Sequence, residues 1–410
     1  MNDIIVGLDV GTTKVCAVVG ELCEDRTINV LGAGSYSYTG GVKKGAIVDI
    51  KCTTEAIVYA IDEAEKAVPD VTLESVYVGI AGAHICSINS KGSTAIKNAN
   101  NEITSEDVDR AVENAKTSVQ IAAHQNIIHI LPREFVVDEQ NEITNPKGMV
   151  GNRLEAHVHI VTGAITAIKN LEKSCQMARL QVEEVVLQQY ASSLSVLTED
   201  ERRLGVAMID IGGGTSDIIV YKNGHVEYSS SIDRAGSNIT NDIAYMLKTS
   251  TDKAEELKKT HGYAFSDLAD KDTIIEFPVA GGDKIQTQNQ HYLAQIIEAA
   301  MDEIFRTAKV KIEEAVKLDE LPAGIVLTGG TSLLKGCTDL AEGIFNVPVR
   351  IGNPIEISGR KDLVCKPQYS TALGLIRYGA QNYHAPTSEP GKFSGIFNKI
   401  KDFFAKFFTD

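Results

Sequence analysis

The sequence has no tract able to cross a bilayer, no cysteine pairing pattern, no repeat of fixed period and no surplus of positive charge. Each absence removes a class of protein. Without an apolar run of 18 residues there is no spanning helix to consider. The seven cysteines, at 16, 23, 52, 86, 175, 337 and 365, are odd in number and form no CxxC pair. They suggest neither a disulfide framework nor a zinc site, and they fit a reducing compartment. The opening MNDIIVGLDV lacks the basic segment of a signal peptide and runs straight into a strand pattern, so the expectation is a cytoplasmic protein. With 40 Lys and Arg against 55 Asp and Glu, the formal charge of −15 argues against nucleic acid as a partner, since phosphate backbones require a basic surface. The absence of low-complexity tracts and heptad runs argues against disorder and coiled coils.

What remains is a globular composition: 410 residues, 43% apolar, with 34 Gly and 10 Pro, long enough for two to four domains. Residues 3 to 10 (DIIVGLDV) read as a buried strand, Thr12 to Lys14 as a tight turn, and 15 to 20 as a second strand, with a third at 27 to 33. The same layout returns at 205 to 228, where GVAMIDIG passes through GGTSD into IIVYKNG, and Asn223-Gly224 is a strong hairpin turn. Asp9 and Asp210 occupy matching places. The implication is an internal duplication, two α/β lobes facing one cleft.

Residues 84 to 162 differ in character. Short strand-like pieces surround a helix expected over 105 to 119, opened by Thr104 and Asp107 at capping-box spacing and striped with Val108, Ala111, Val112, Ala115 and Val119. This reads as an inserted subdomain. A second insertion, 237 to 275, is polar and helical, and 288 to 318 reads as a long amphipathic helix. After a linker over 381 to 391 with two prolines, residues 392 to 410 hold six of the eleven phenylalanines. On a helical wheel Phe393, Ile396, Phe397, Ile400, Phe403, Phe404, Phe407 and Phe408 fall within an arc of about 140°. Lys399, Lys401 and Lys406 share the remainder with Asp402. An aromatic face rimmed by lysines, behind a linker, is the pattern of an interfacial membrane helix.

The two Asp-x-Gly turns carry the chemistry. Glycines at a strand-to-strand turn leave backbone N–H groups free to converge on phosphate, and the hydroxyls of Thr12, Thr13 and Thr215 add donors. A carboxylate at each turn suits Mg²⁺, which takes one or two protein carboxylates plus phosphate oxygens and water. Asp9 and Asp210 are therefore the expected metal-side residues. A third turn, Gly329-Gly330-Thr331, follows the strand pattern GIVLT and suits the nucleoside end of a nucleotide. Glu255 and Lys258 stand three apart on one helix face, where they could hold ribose hydroxyls or simply pair with each other.

In order, GLDVGTTK, VVLQQYASS, MIDIGGGTSDIIVY, GIVLTGGTSLL and YSTALGLIRYG resemble the actin, Hsp70 and sugar-kinase superfamily. The AEELKKTHG stretch, the insertion in the first half and the short amphipathic end resemble more closely the FtsA family of bacterial cell-division proteins, over nearly the whole chain. That resemblance implies an actin-like two-lobed fold with ribonuclease H-like halves. Subdomain 1A would comprise 1–83 and 163–204, and 1C would be the insertion 84–162. Subdomain 2A would comprise 205–236 and 276–380, with 2B at 237–275, followed by the linker and the membrane-targeting helix. It implies ATP with Mg²⁺ between 1A and 2A. Gly11, Thr12, Thr13 and Lys14 would form the first phosphate turn and Gly212, Gly213, Gly214 and Thr215 the second. Gly329, Gly330 and Thr331 would meet the adenosine, with Glu255 and Lys258 closing over it.

Where related ATPases polarise the attacking water, this chain has Gln188. Glutamine can orient water but is no general base, so hydrolysis is expected to be slow at best. The implied partners are FtsZ, other copies of the chain in actin-like filaments, further division proteins and lipids of the inner membrane's cytoplasmic face. Two alternatives stay open: a pilus-assembly ATP-binding protein of similar fold, which would not need the Phe-rich end, and a sugar or acid kinase, which would need a carboxylate base that neither lobe displays.

Overall fold

The computed structural model describes residues 3–23, 27–69, 71–282 and 284–382. The expected membrane helix, and the linker beyond Asn382, lie outside the described residues. Two sheets sharing one five-strand order make up the body, the first with a short sixth strand, Ser358–Gly359, at its edge. In the first, Asp3–Val10 pairs antiparallel with Lys14–Leu22, which pairs antiparallel with Ile28–Ser37. On its other side Asp3–Val10 runs parallel to Ser75–Ile80, and that strand to Gln181–Leu187. In the second, Val206–Ile211, Ser216–Lys222 and His225–Ile232 form the antiparallel run. Ile325–Thr328 and Val349–Ile351 are the parallel pair. The shared order is the duplication written in hydrogen bonds.

Central strands covered on both faces need side chains that are apolar throughout. All six residues of Val206–Ile211 are buried. Helix Ile50–Glu65 covers one face of the first sheet, approaching closely enough that a Cβ at Gly34 would lie 2.1 Å from the Ala60 carbonyl oxygen. Helix Ser370–Asn382 covers the opposite face, setting Ala372, Leu373 and Ile376 on Ile5, Cys16 and Val18. This helix continues into the first two residues of the expected linker. It also crosses helix Gln188–Val196 at Gly374, where a Cβ would stand 1.7 Å from the Ala191 carbonyl oxygen. The turn at Asn223-Gly224 has φ of 54° and 85°, the left-handed pair that a two-residue hairpin requires.

The first insertion is a four-stranded antiparallel sheet built from Cys86–Ala95, Gln125–Val137, Gln140–Ile143 and Arg153–Ala164. Helix Ser105–Thr117 packs on it through Val108, Ala111, Val112 and Ala115. Thr104 and Asp107 form the reciprocal capping box, and the helix stops two residues short of the expected end. This sheet also meets the second lobe along His225–Ile232, that lobe's edge strand. Ser87 Oγ donates to the Ser229 carbonyl at 2.7 Å and Asn89 Nδ2 to the Glu227 carbonyl at 3.1 Å. His159 sits between Asn89 Oδ1 at 2.6 Å and Ser229 Oγ at 2.9 Å, and Arg133 pairs with Glu227. Burial, with a smaller contribution from Arg133, pushes the His159 pKa down to about 3, so the ring is neutral in this contact.

The second insertion holds helices Gly236–Leu247 and Thr251–His261. A hairpin of Ile274–Pro278 and Ile285–Asn289 follows, its first strand straddling residue 275. Helix Gln290–Glu313 then returns to the core of the second lobe, shorter at both ends than the amphipathic pattern suggests.

Candidate functional site

Each Asp-x-Gly turn is closed by one backbone bond of 3.0 Å, Gly11 N–H to the Lys14 carbonyl and Gly212 N–H to the Thr215 carbonyl. The turns face each other at the mouths of the two sheets. Cβ atoms placed on Gly213 and Gly214 would come within 2.6 Å of Thr13 Oγ1 and 2.1 Å of Thr12 Oγ1. Only glycine lets the turns approach this closely. The third turn joins the second: Thr331 Oγ1 donates to the Gly212 carbonyl at 2.8 Å, and Gly329, at φ +84°, passes beside the Asp210 carboxylate.

Around these turns opens a cleft of about 870 Å³ between the lobes. It is lined by Asp9, Gly11, Thr12, Thr13, Lys14, Gln188, Asp210, Gly212, Gly213, Gly214, Thr215, Glu255, Lys258, Gly329, Gly330 and Thr331. The chain thus brings every expected cleft residue to one cavity from positions more than 300 apart in sequence. Their present partners are more specific. Lys258, nearly buried, lies 2.6 Å from Glu255 and donates to the Gly236 carbonyl at 3.0 Å and Thr240 Oγ1 at 2.8 Å. The two residues therefore hold each other and the start of helix Gly236–Leu247. Gln188 donates through Nε2 to Asp9 Oδ1 at 3.0 Å. Lys14 reaches the Gln368 carbonyl at 3.0 Å, with its ammonium 4.4 Å from the Tyr369 ring centroid.

Three carboxylates stand at the floor. Burial, opposed by Lys14 and assisted by Asp210, raises the Asp9 pKa to about 7. Asp217, which the sequence reading passed over, is likewise pushed up to about 7, chiefly by burial. Its oxygens accept from Thr215 Oγ1 at 2.8 Å and from Ser231 Oγ. Burial also raises the pKa of Asp210, against hydrogen bonds from Ser192 Oγ at 2.6 Å and Thr371 Oγ1 at 3.3 Å. Asp217 faces Asp210 across the strand register, so the alternation in IDIGGGTSD was the available signal. Tyr38, which donates to the Gly11 carbonyl at 2.9 Å, and Gln368 also line the cleft, and no local pattern marks them.

Among the described residues no cluster of three or more His, Cys, Asp or Glu forms a ready-made metal cage. The arrangement nevertheless fits a hard cation that arrives with its own oxygens. Asp9 and Asp210 supply two oxygen-bearing groups, and their raised pKa values mark carboxylates whose charged form burial disfavours and a cation would favour.

Two lobes of one topology, joined by crossing helices around a cleft of glycine turns, define an actin-like protein. Solved structures agree on the fold. A PilM-PilN type IV pilus biogenesis complex matches with TM-score 0.65 at 14% identity, covering 92% of this chain and 98% of that one. MreB5 of Spiroplasma citri, bound to ADP, matches with TM-score 0.54 at 14% identity, covering 90% and 94%.

Sequence relationships are narrower. Residues 207–374 match the family model for cell division protein FtsA, and residues 82–162 match the SHS2 domain inserted in FtsA. Cell division protein FtsA of Pseudomonas aeruginosa is 43% identical over 377 residues, 92% of this chain and 89% of that protein. The Escherichia coli (strain K12) protein is 38% identical over 390 residues, covering 93% and 91%. The Bacillus subtilis protein is 38% identical over 381 residues, covering 93% and 84%. The chain belongs to the FtsA family of cell division proteins.

Proposed function

We propose that the chain binds ATP with Mg²⁺ in the interlobe cleft, assembles with copies of itself, and tethers FtsZ to the cytoplasmic face of the membrane. The observation carrying this reading is the convergence of three glycine turns and two carboxylates on one cavity. Phosphates would lie against residues 11–14 and 212–215, and the adenosine against 329–331. Mg²⁺, held through water by Asp9 and Asp210, would neutralise phosphate charge. Gln188, tied to Asp9, would orient water without deprotonating it, so nucleotide serves conformation more than turnover.

FtsZ would dock on the second insertion, 237–275, where Tyr245 and Met246 stand exposed. The first insertion, 84–162, would meet a neighbouring subunit or later division proteins. The Phe-rich segment 392–410 supplies the membrane contact. No helix among the described residues is long and apolar enough to cross a bilayer.

Co-sedimentation with anionic vesicles and FtsZ, using the full chain and a form lacking 392–410, tests tether and adaptor together. The full chain should carry FtsZ into the pellet and the shortened one should not. In the full chain, Phe404→Glu should abolish pelleting on vesicles of any composition. Lys401→Glu should weaken it mainly at low salt and on anionic lipid. Equal pelleting of parent and Phe404→Glu would reject the membrane reading.

A further inference from the structure

The ammonium of Lys14 is already engaged, and its partners belong to the far end of the chain. Gln368 and Tyr369 lie on the single turn Pro367–Tyr369 that leads directly into helix Ser370–Asn382. Lys14 donates to the Gln368 carbonyl and lies over the Tyr369 ring. Both contacts are charge–dipole or charge–quadrupole interactions, which a phosphate oxygen bearing full negative charge outcompetes at the same distance.

The second lobe holds the same helix start by other bonds. Thr328 Oγ1 and Ser370 Oγ are 2.7 Å apart, and Thr371 Oγ1 donates to Asp210. On the crossing helix Gln188–Val196, Ser195 Oγ adds a bond to the Ser370 carbonyl at 2.7 Å. The start of the last helix is thus pinned between a first-lobe phosphate turn and a second-lobe carboxylate, with Gln368 itself facing the cavity.

We propose that Lys14 is shared between the nucleotide's phosphates and the 367–369 turn, so that phosphate binding releases that turn and reports occupancy of the cleft to helix Ser370–Asn382. This inference rests on the ATP reading and concerns how the same site is regulated. Linkage makes it reciprocal: whatever loosens the turn's hold on Lys14 strengthens the hold on phosphate by the same factor.

The test uses the full chain, with ATP binding measured by equilibrium dialysis and backbone opening by hydrogen–deuterium exchange over 366–382. In the parent, saturating ATP with Mg²⁺ should raise exchange at Gln368, Tyr369 and Ser370 severalfold. Lys14→Met should show the raised exchange without nucleotide and no further rise with it. Tyr369→Leu keeps an apolar side chain but loses the ring under the ammonium, and should bind ATP about two- to fivefold more tightly. Unchanged exchange in nucleotide-free Lys14→Met, or weaker ATP binding by Tyr369→Leu, would overturn the sharing. Failure of the parent to bind ATP would overturn the ATP reading instead, while the nucleotide-free comparison of parent and Lys14→Met still decides whether Lys14 holds the turn.

Discussion

Asp217→Asn should stabilise the nucleotide-free protein above neutral pH. Asp217 is buried, and both its oxygens accept from hydroxyls, Thr215 Oγ1 and Ser231 Oγ. An asparagine reproduces these bonds: its carbonyl accepts from one hydroxyl, and its amide donates to the other, which turns round. What the substitution removes is a buried charge whose pKa stands at about 7 instead of 3.8. Between those values the unfolded chain gives up the proton and the folded one keeps it. Stability of the parent therefore falls as pH rises through that window, and flattens above about 7.

Some three pH units at about 1.4 kcal/mol each set a ceiling near 4 kcal/mol. Water entry and local relaxation reduce the expected gain to about 1 to 3 kcal/mol at pH 8, shrinking toward zero near pH 4. Urea unfolding from pH 5 to 8 in the presence of a chelator measures it. Circular dichroism is the suitable probe, since the chain has no tryptophan. A stability difference that does not vary with pH, or a variant less stable than the parent at pH 8, would refute the argument.

Gly374→Ala drives a methyl into the Ala191 carbonyl at the crossing of the two interlobe helices, and should cost about 3 kcal/mol or more in thermal unfolding. Melting within a degree of the parent would show that the helices separate easily. Gly213→Val should abolish binding of a fluorescent ATP analogue by wedging Thr13 away and parting the two turns, with the secondary structure unchanged by circular dichroism. Tight analogue binding by a folded Gly213→Val protein would place the phosphates elsewhere.

The duplicated fold was legible because its signal is local and occurs twice. An apolar strand, an Asp-x-Gly turn and a second strand at 3–20 return at 205–222, and both pairs form as antiparallel ladders. The Thr104 capping box and the Asn223-Gly224 hairpin were legible for the same reason: three- and two-residue rules decide them. The gathering of the glycine turns followed from the duplication.

What each charged residue does inside the cleft did not follow. The sequence spacing of Glu255 and Lys258 allowed a pair or a ribose clamp, and only burial against Gly236 and Thr240 shows that they pair. Lys14 looked like a phosphate ligand alone because its other partners lie 354 positions away. Asp217 was passed over because its signal, the place opposite Asp210 in IDIGGGTSD, shows only once the two strands are set in register. The Ser87, Asn89 and His159 contacts with the second lobe carry no periodic signature at all.

Those last contacts make the first insertion a brace as well as an appendage. It grows from the first lobe, yet its side chains grip the edge strand of the second, so the lobes cannot swing apart around the cleft without tearing that grip. Each of its hydrogen bonds is worth only about 0.5 to 1.5 kcal/mol net, because water replaces it on opening. The joint is not purely polar: Leu131 of the insertion belongs to the apolar cluster of Val206, Ile219 and Val226 in the second lobe, so opening it also exposes apolar surface. The neutral His159 makes it sensitive to acid: released from the contact, the ring regains an ordinary pKa of about 6.5, so opening takes up a proton below that pH and the joint weakens as pH falls.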